Sequence, residues 1–311
     1  MRSVLIMVLW LLPSLALAQG WSEGVSMDTP RAALAVTQMD GKIYAIGGAG
    51  RLAPMSAAER YNPAAGSWRS IAGLPVGLEQ FGLAGLNGKL YAAGGYAADG
   101  NGAPGNEVWS FDEAGGEWVP APAMPGSRAA FSMVAAKGKI YALGGSGDIA
   151  NQMAVFDPQT KQWQLVEGGP LGRRGAVALA IDDNIYLIGG GSSNEPSGRM
   201  DVFNISSSTW TAGNPLPTPR SGHAAAVFMG KIHVMGGRGG GRGETLKDHW
   251  IFDPAAGTWS RGADLSAPRT GAGAAAVGAS LYVVGGGSGG GFYASFTATD
   301  SVEVMRHLPG F

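Results

Sequence analysis

The sequence predicts an all-β fold: a six-bladed β-propeller with four antiparallel strands per blade, the last blade closed by the N-terminal strand. Three observations carry this expectation. First, a tight turn, a short apolar run and a diglycine recur together. They read Gly-Lys-Ile-Tyr-Ala-Ile-Gly-Gly at 41–48, Gly-Lys-Leu-Tyr-Ala-Ala-Gly-Gly at 88–95 and Gly-Lys-Ile-Tyr-Ala-Leu-Gly-Gly at 138–145, with looser copies at 184–190, 230–237 and 280–286. Second, the diglycines begin at Gly47, Gly94, Gly144, Gly189, Gly236 and Gly285, at intervals of 47, 50, 45, 47 and 49 residues. Third, Trp68, Trp118, Trp163, Trp210 and Trp259 keep the same pitch, each seven residues after Tyr61, Phe111, Phe156, Phe203 and Phe252. Four short strands repeating at this period indicate a propeller blade.

Within each unit, strand a follows an arginine, as in Arg220-Ser221-Gly222-His223-Ala224-Ala225-Ala226-Val227. Strand b is the apolar run that the diglycine stops. Strand c ends at the Tyr or Phe. A turn such as Asn62-Pro63, Asp157-Pro158 or Asp253-Pro254 then leads into strand d and its tryptophan. The sixth unit has Met305 at the aromatic position, and the chain stops before a tryptophan could follow. Trp21 lies 47 residues before Trp68, in phase with the missing marker. The N-terminal strand is therefore expected to pair onto the last blade and cover its edge.

Residues 1–18 read as a signal peptide: Arg2, an apolar stretch from Val4 to Leu12, and a small-x-small site at Ala16-Leu17-Ala18. A membrane anchor is disfavoured because the apolar run is short and Pro13 interrupts it. Residues 19–311 are expected to form one domain, exported to the periplasm or beyond and monomeric, with no membrane span after cleavage. An exported chain that does without disulfides points to a bacterial source. A net charge of −1, without Lys/Arg runs, argues against a nucleic-acid partner. The chain has no cysteine, which removes disulfides, thiolate metal sites and cysteine nucleophiles. His223, His233, His249 and His307 show no metal-ligand spacing, and neither a metal nor a cofactor is expected.

The diglycine after strand b, the aromatic in strand c and the tryptophan in strand d resemble the kelch repeat across nearly all of residues 19–311. The resemblance implies a rigid scaffold whose variable loops bind. The b–c loops of blades 2, 5 and 6 are the longest. Copper radical oxidases share this type of propeller but need a cysteine-modified tyrosine, which this chain cannot form.

Candidate binding residues lie on the face that carries the b–c and d–a loops. Arg31, Arg128, Arg173, Arg220 and Arg269 each stand 13 residues before the strand-b Tyr44, Tyr141, Tyr186, His233 and Tyr282, and blade 2 has Leu78 there. Two readings stay open for these arginines. They ring the channel mouth and recognise carboxylate or phosphate, or they pair with Glu59, Asp201 and Glu303 inside the blades. The small residues two positions on, Ala33, Ala130, Gly175, Gly222 and Gly271, read as packing around a narrow channel. Arg238 and Arg242 flank a glycine run in blade 5 that lacks the Gly-Lys-Ser/Thr ending and following helix of a phosphate loop. Phe292, Tyr293 and Phe296 in blade 6 either stack on a ligand or fold back as a plug.

The expected function is that of a binding module. Its ligand would be an anionic small molecule, such as an acidic sugar, or a protein partner presenting an acidic peptide. The rival is an enzyme resembling the exported sialic-acid mutarotases, which are also kelch propellers. Glu79, Glu107 and Asp99 are then the candidate catalytic bases.

Overall fold

The structure, a computed structural model, describes residues 20–98, 100, 102–169, 172–192, 195–241 and 244–307. The predicted signal peptide lies outside the described residues. Six antiparallel sheets of four main strands follow one another along the chain, with a short fifth strand, Glu195–Pro196, added to blade 4 and a separate pair formed by Leu78–Glu79 and Tyr96–Ala97. Blade 1 comprises Ala35–Met39, Lys42–Ile46, Ala58–Asn62 and Ser67–Ser70. Blade 5 comprises Ala224–Phe228, Lys231–Arg238, Thr245–Asp253 and Thr258–Arg261. The innermost strands of blades 2 to 6 are rich in alanine or glycine, which lets them converge on the axis.

The closure is as the tryptophan phase predicts. Blade 6 takes Gly273–Val277, Ser280–Val284 and Val302–Arg306 from the C-terminal end, and Ser22–Glu23 from the N-terminal end. Ser22 pairs with Val304 and Glu23 with Glu303, so the same register brings Trp21 opposite Met305. In the other five blades the strand-d tryptophan sits directly across from the strand-c aromatic, with ring centroids 5.0–5.2 Å apart. The seven-residue spacing is thus the span of a hairpin that brings these two rings together.

The tryptophans also tie neighbouring blades together. Trp68 Nε1 donates to Val25 O at 2.8 Å, Trp118 to Ala72 O at 2.9 Å, Trp163 to Pro122 O at 2.8 Å and Trp259 to Asn214 O at 2.9 Å. Trp21 continues the series by donating to Ala263 O of blade 5 at 2.8 Å. Trp210 is the exception: its Nε1 meets no acceptor among the described residues. There Gly169, at φ +99°, passes so close that a Cβ would lie 2.5 Å from the indole nitrogen.

The diglycines have a second task beyond stopping strand b. The second glycine of each pair donates its N–H to the next blade, for example Gly145 to Arg173 O at 2.8 Å and Gly286 to Arg31 O at 2.8 Å. Both glycines adopt left-handed φ, and a Cβ on Gly94 would lie 2.3 Å from Arg128 O. Any other residue would push the two blades apart.

Candidate functional site

The five phased arginines are interior residues, which corrects the expectation that they ring the channel mouth. Arg31, Arg128 and Arg220 are fully buried, and Arg173 and Arg269 nearly so. Arg31 Nη2 pairs with Glu59 at 2.8 Å, Arg173 with Asp201 at 2.9 Å, Arg220 with Asp248 at 2.6 Å and Arg269 with Glu303 at 2.7 Å. The other donors of Arg31, Arg220 and Arg269 reach diglycine carbonyls of the same blade, Gly47 O, Gly236 O and Gly285 O, and those of Arg173 reach Leu187 O and Arg199 O. The strand b end turns inward at the diglycine and leaves carbonyls without ladder partners, and the planar guanidinium satisfies several at once. Arg128 has no carboxylate partner among the described residues. It donates to Ala142 O at 2.7 Å, to Ile149 O and to Gln152 O, and burial lowers its pKa to about 10.

The channel mouth is built from the residues just after these positions. Ala33, Gln80, Ala130, Gly175, Gly222 and Gly271 all adopt left-handed φ, between +51° and +65°. Their backbones form a closed ring of hydrogen bonds about the axis. Gln80 N donates to Ala33 O at 3.1 Å, Ala130 N to Gln80 O at 2.7 Å and Gly175 N to Ala130 O at 2.8 Å. Gly222 N to Gly175 O, Gly271 N to Gly222 O and Ala33 N to Gly271 O complete it, each at 2.8 Å. Smallness at these positions therefore reflects backbone conformation as well as the narrow bore.

Above this ring, the residue before each ring member pairs with the residue after each diglycine. Ala32 pairs with Ala49, Glu79 with Tyr96, Ala129 with Ser146, Arg174 with Gly191, Ser221 with Arg238 and Thr270 with Gly287. Blade 1 thus presents two alanines, whereas blades 2 to 5 present the functional side chains. Exposed Arg174 reaches from blade 4 across to blade 2, where its Nη2 donates to Tyr96 Oη at 2.9 Å. Tyr96 Oη lies 3.5 Å from Ser146 Oγ of blade 3. Arg174 enters no salt bridge among the described residues, so its charge is directed at the mouth. Glu79 and Arg238 line the same channel, which has a volume of about 810 Å³. Burial raises the pKa of the Glu79 carboxyl, and a side-chain hydrogen bond with Gln80 opposes the shift.

The remaining candidates fall elsewhere. Glu107 is exposed on the blade 2 loop, away from the channel lining. Asp99 and Arg242 lie outside the described residues. Tyr293 belongs to a 3-10 helix, Gly291–Thr297, whose Ala294 and Ser295 line the channel. Tyr293 is 68% exposed and Phe296 48%, so this pair stands at the surface and not in the bore. Among the described residues no group of His, Asp and Glu could hold a metal. His233 Nδ1 and His249 Nε2 are 2.9 Å apart in the core beside Trp21, whose ring lies 5.6 Å from that of His249. His223 fills the inter-blade slot held by Leu34, Phe81 and Phe131 elsewhere, packed under Gly237 as those residues are under Gly48, Gly95 and Gly145.

Arg174, Tyr96, Ser146 and Gln80 escaped the sequence reading. Arg174 was masked by its neighbour Arg173, which carries the repeat. Comparing the residue after the phased position blade by blade would have exposed it: Ala32, Glu79, Ala129, Arg174, Ser221 and Thr270 differ from blade to blade.

Six four-stranded blades, diglycines seated on buried arginines and paired strand-c and strand-d aromatics define a kelch-type β-propeller. Comparison with known families agrees: residues 80–286 match the KLHDC2/KLHL20/DRC7 Kelch-repeats domain, and residues 30–75 match the Kelch motif. The chain belongs to the kelch-repeat family. It is 25% identical over 234 residues to Kelch-like protein 35 of Mus musculus, covering 75% of this chain and 32% of that protein. It is 27% identical over 226 residues to Kelch-like protein terF of Aspergillus terreus, covering 68% and 40%. It is 29% identical over 258 residues to Kelch repeat and BTB domain-containing protein 12 of Danio rerio, covering 76% and 35%. The chain thus spans about a third to two fifths of the length of these relatives. The solved structure titled "Structure of YjhT" superposes with a TM-score of 0.78 at 19% identity, covering 89% of this chain and 95% of that one. At that identity the likeness is one of fold.

Proposed function

We propose that this kelch propeller, a class of fold that typically serves as an interaction module, binds an anionic ligand at the channel mouth of its b–c/d–a face. The ligand is an acidic sugar or the acidic side chains of a peptide. The single observation that carries this reading is Arg174. It is an exposed guanidinium at the lip of a concave channel, oriented by Tyr96 and without a carboxylate partner among the described residues. A guanidinium fork suits a carboxylate, and a mouth with low-dielectric walls strengthens its field. Arg238 on the neighbouring blade lines the same channel. Export is part of the proposal, supported by the leader-like sequence of residues 1–18.

The experiment is a thermal-shift and calorimetric screen of neutral sugars, galacturonate and hexaglutamate, repeated with Arg174→Ala and at rising salt. Binding of an acidic probe that weakens with salt and with the substitution supports the proposal. A neutral sugar whose affinity ignores both refutes it. One observation favours a second reading, a sugar mutarotase: Glu79 is a channel-lining carboxyl with a raised pKa, as suits a general base. Anomerisation followed by NMR, with and without Glu79→Gln, tests that reading, and a rate no faster than buffer removes it.

A further inference from the structure

Blade 2 departs from the repeat at three consecutive positions, the last two of which line the channel. Leu78 stands where the other blades have the buried arginine. Glu79 stands where four of the others have Ala32, Ala129, Ser221 and Thr270. Gln80 stands where all the others have alanine or glycine. The last departure is the most informative. Gln80 holds a left-handed φ of +51°, and Ala33 and Ala130 are left-handed at the same ring position, so the backbone there accepts a residue without the carboxamide. The hydrogen bonds to Ala33 O and from Ala130 N hold it there. Two alanines and three glycines make the same ring bonds in the other blades, so the fold needs no carboxamide at this point. The side chain is exposed and lines the channel next to Glu79. A carboxamide that lines the channel and that the architecture does not use points to a role in binding.

We propose that Gln80 is a ligand-binding residue that recognises hydroxyl or amide groups on a small carboxylate ligand. This rests on the reading that Arg174 holds the carboxylate across the mouth. Arg174 supplies charge without chemical detail. The Gln80 carboxamide supplies both a donor and an acceptor, and so distinguishes a hydroxylated acid from a plain one. A site built to hydrogen-bond a hydroxyl rejects an analogue that lacks it, because its polar groups are then left unpaired.

The test is calorimetric titration of wild-type protein, Gln80→Ala and Arg174→Ala with galacturonate, with succinate as the acid without hydroxyls and hexaglutamate as the peptide probe. Alanine is the chosen replacement because Ala33 and Ala130 already occupy this conformation. The melting temperature of Gln80→Ala should therefore stay within about 2 °C of wild type. Its Kd for galacturonate should rise about tenfold, while the weaker affinity for succinate stays within twofold. Arg174→Ala should weaken both acids. A fall in melting temperature well beyond that range would make Gln80 structural and overturn the proposal. Galacturonate binding that Arg174→Ala weakens and Gln80→Ala leaves unchanged overturns the role of Gln80 alone. Binding of hexaglutamate but not galacturonate overturns the small-ligand class. Wild-type protein that binds none of the three probes overturns the anion reading and the Gln80 proposal together.

Discussion

Removing the Trp21 side chain should open the ring at its seam. The indole is half-buried against the core residues Phe228, Leu265, Leu281 and Met305. It packs on the edge of His249 and donates to Ala263 O. Truncating a Trp in such a setting costs roughly 3–5 kcal/mol, and partial exposure places Trp21 near the low end, about 3 kcal/mol. The lost hydrogen bond adds about 1 kcal/mol. A total of about 4 kcal/mol is a large share of the 5–15 kcal/mol typical of a folded protein. At about 2–4 °C per kcal/mol in a chain of this size, Trp21→Ala should lower the melting temperature by roughly 10 °C. The assay is thermal unfolding by circular dichroism, with Trp210→Ala as an internal comparison. Trp210 is a tryptophan of the same type with no hydrogen-bond acceptor among the described residues, so its truncation should cost about 1 kcal/mol less. Deleting residues 20–25 should do more than the point substitution, because it also uncovers the edge of strand Val302–Arg306 and invites aggregation. A Trp21→Ala protein that melts within 2 °C of wild type would refute the account of closure.

Three further predictions follow from the buried charges and imidazoles. Burial lowers the pKa of His223 and His233 to about 3 and that of His249 to about 4, so they stay neutral in the fold while the unfolded chain charges below about 6.5. Stability should thus be level above pH 6.5 and fall on acidification, by about 2 kcal/mol per histidine at pH 5; a melting temperature unchanged from pH 7.5 to 5 would contradict this. His223→Leu, which installs the residue that blade 1 has in that slot, should remove one of these contributions and raise stability more at pH 5 than at pH 7.5. Arg31→Met should cost about 3–5 kcal/mol because it strands buried Glu59, and adding Glu59→Gln should recover part of the loss; a double variant no more stable than the single one would count against the pairing. Glu113 accepts hydrogen bonds from Lys42, Tyr44 and Arg60, which hold its pKa at about 2 despite partial burial. Its contribution is present above about 4.5 and lost as the pH falls through 2, so Glu113→Gln should destabilise at pH 7 and make no difference near pH 2, as read by urea unfolding.

The architecture was legible in the sequence because its determinants are periodic. A diglycine that must approach the next blade and an indole that must reach the previous one admit few substitutes, so they recur at a fixed pitch. Even the closure could be read, since Trp21 keeps phase with Trp68 across the ends of the chain. The arginines were legible as a repeat but ambiguous in role, because a buried guanidinium bound to carbonyls and an exposed one look alike in sequence. The decisive partner for Arg220, Asp248, was hidden by lying four residues before Phe252, where Glu59, Asp201 and Glu303 lie two before their markers. The mouth was the least legible part for the opposite reason. Arg174, Tyr96 and Gln80 occur once each, and they are brought to one mouth by the convergence of blades 2 and 4, 78 residues apart in sequence at the Arg174–Tyr96 contact.

The most direct measurement compares two arginines in parallel. Arg174→Ala and Arg269→Ala are each titrated with galacturonate and hexaglutamate by calorimetry, and their melting temperatures are recorded. If recognition resides at the mouth and the phased arginines hold the blades, Arg174→Ala loses affinity at wild-type stability. Arg269→Ala, which strands buried Glu303, instead melts markedly lower and, below its transition, binds as wild type does. An Arg174→Ala protein that binds both acids as tightly as wild type, with affinity lost only in Arg269→Ala, would contradict the account.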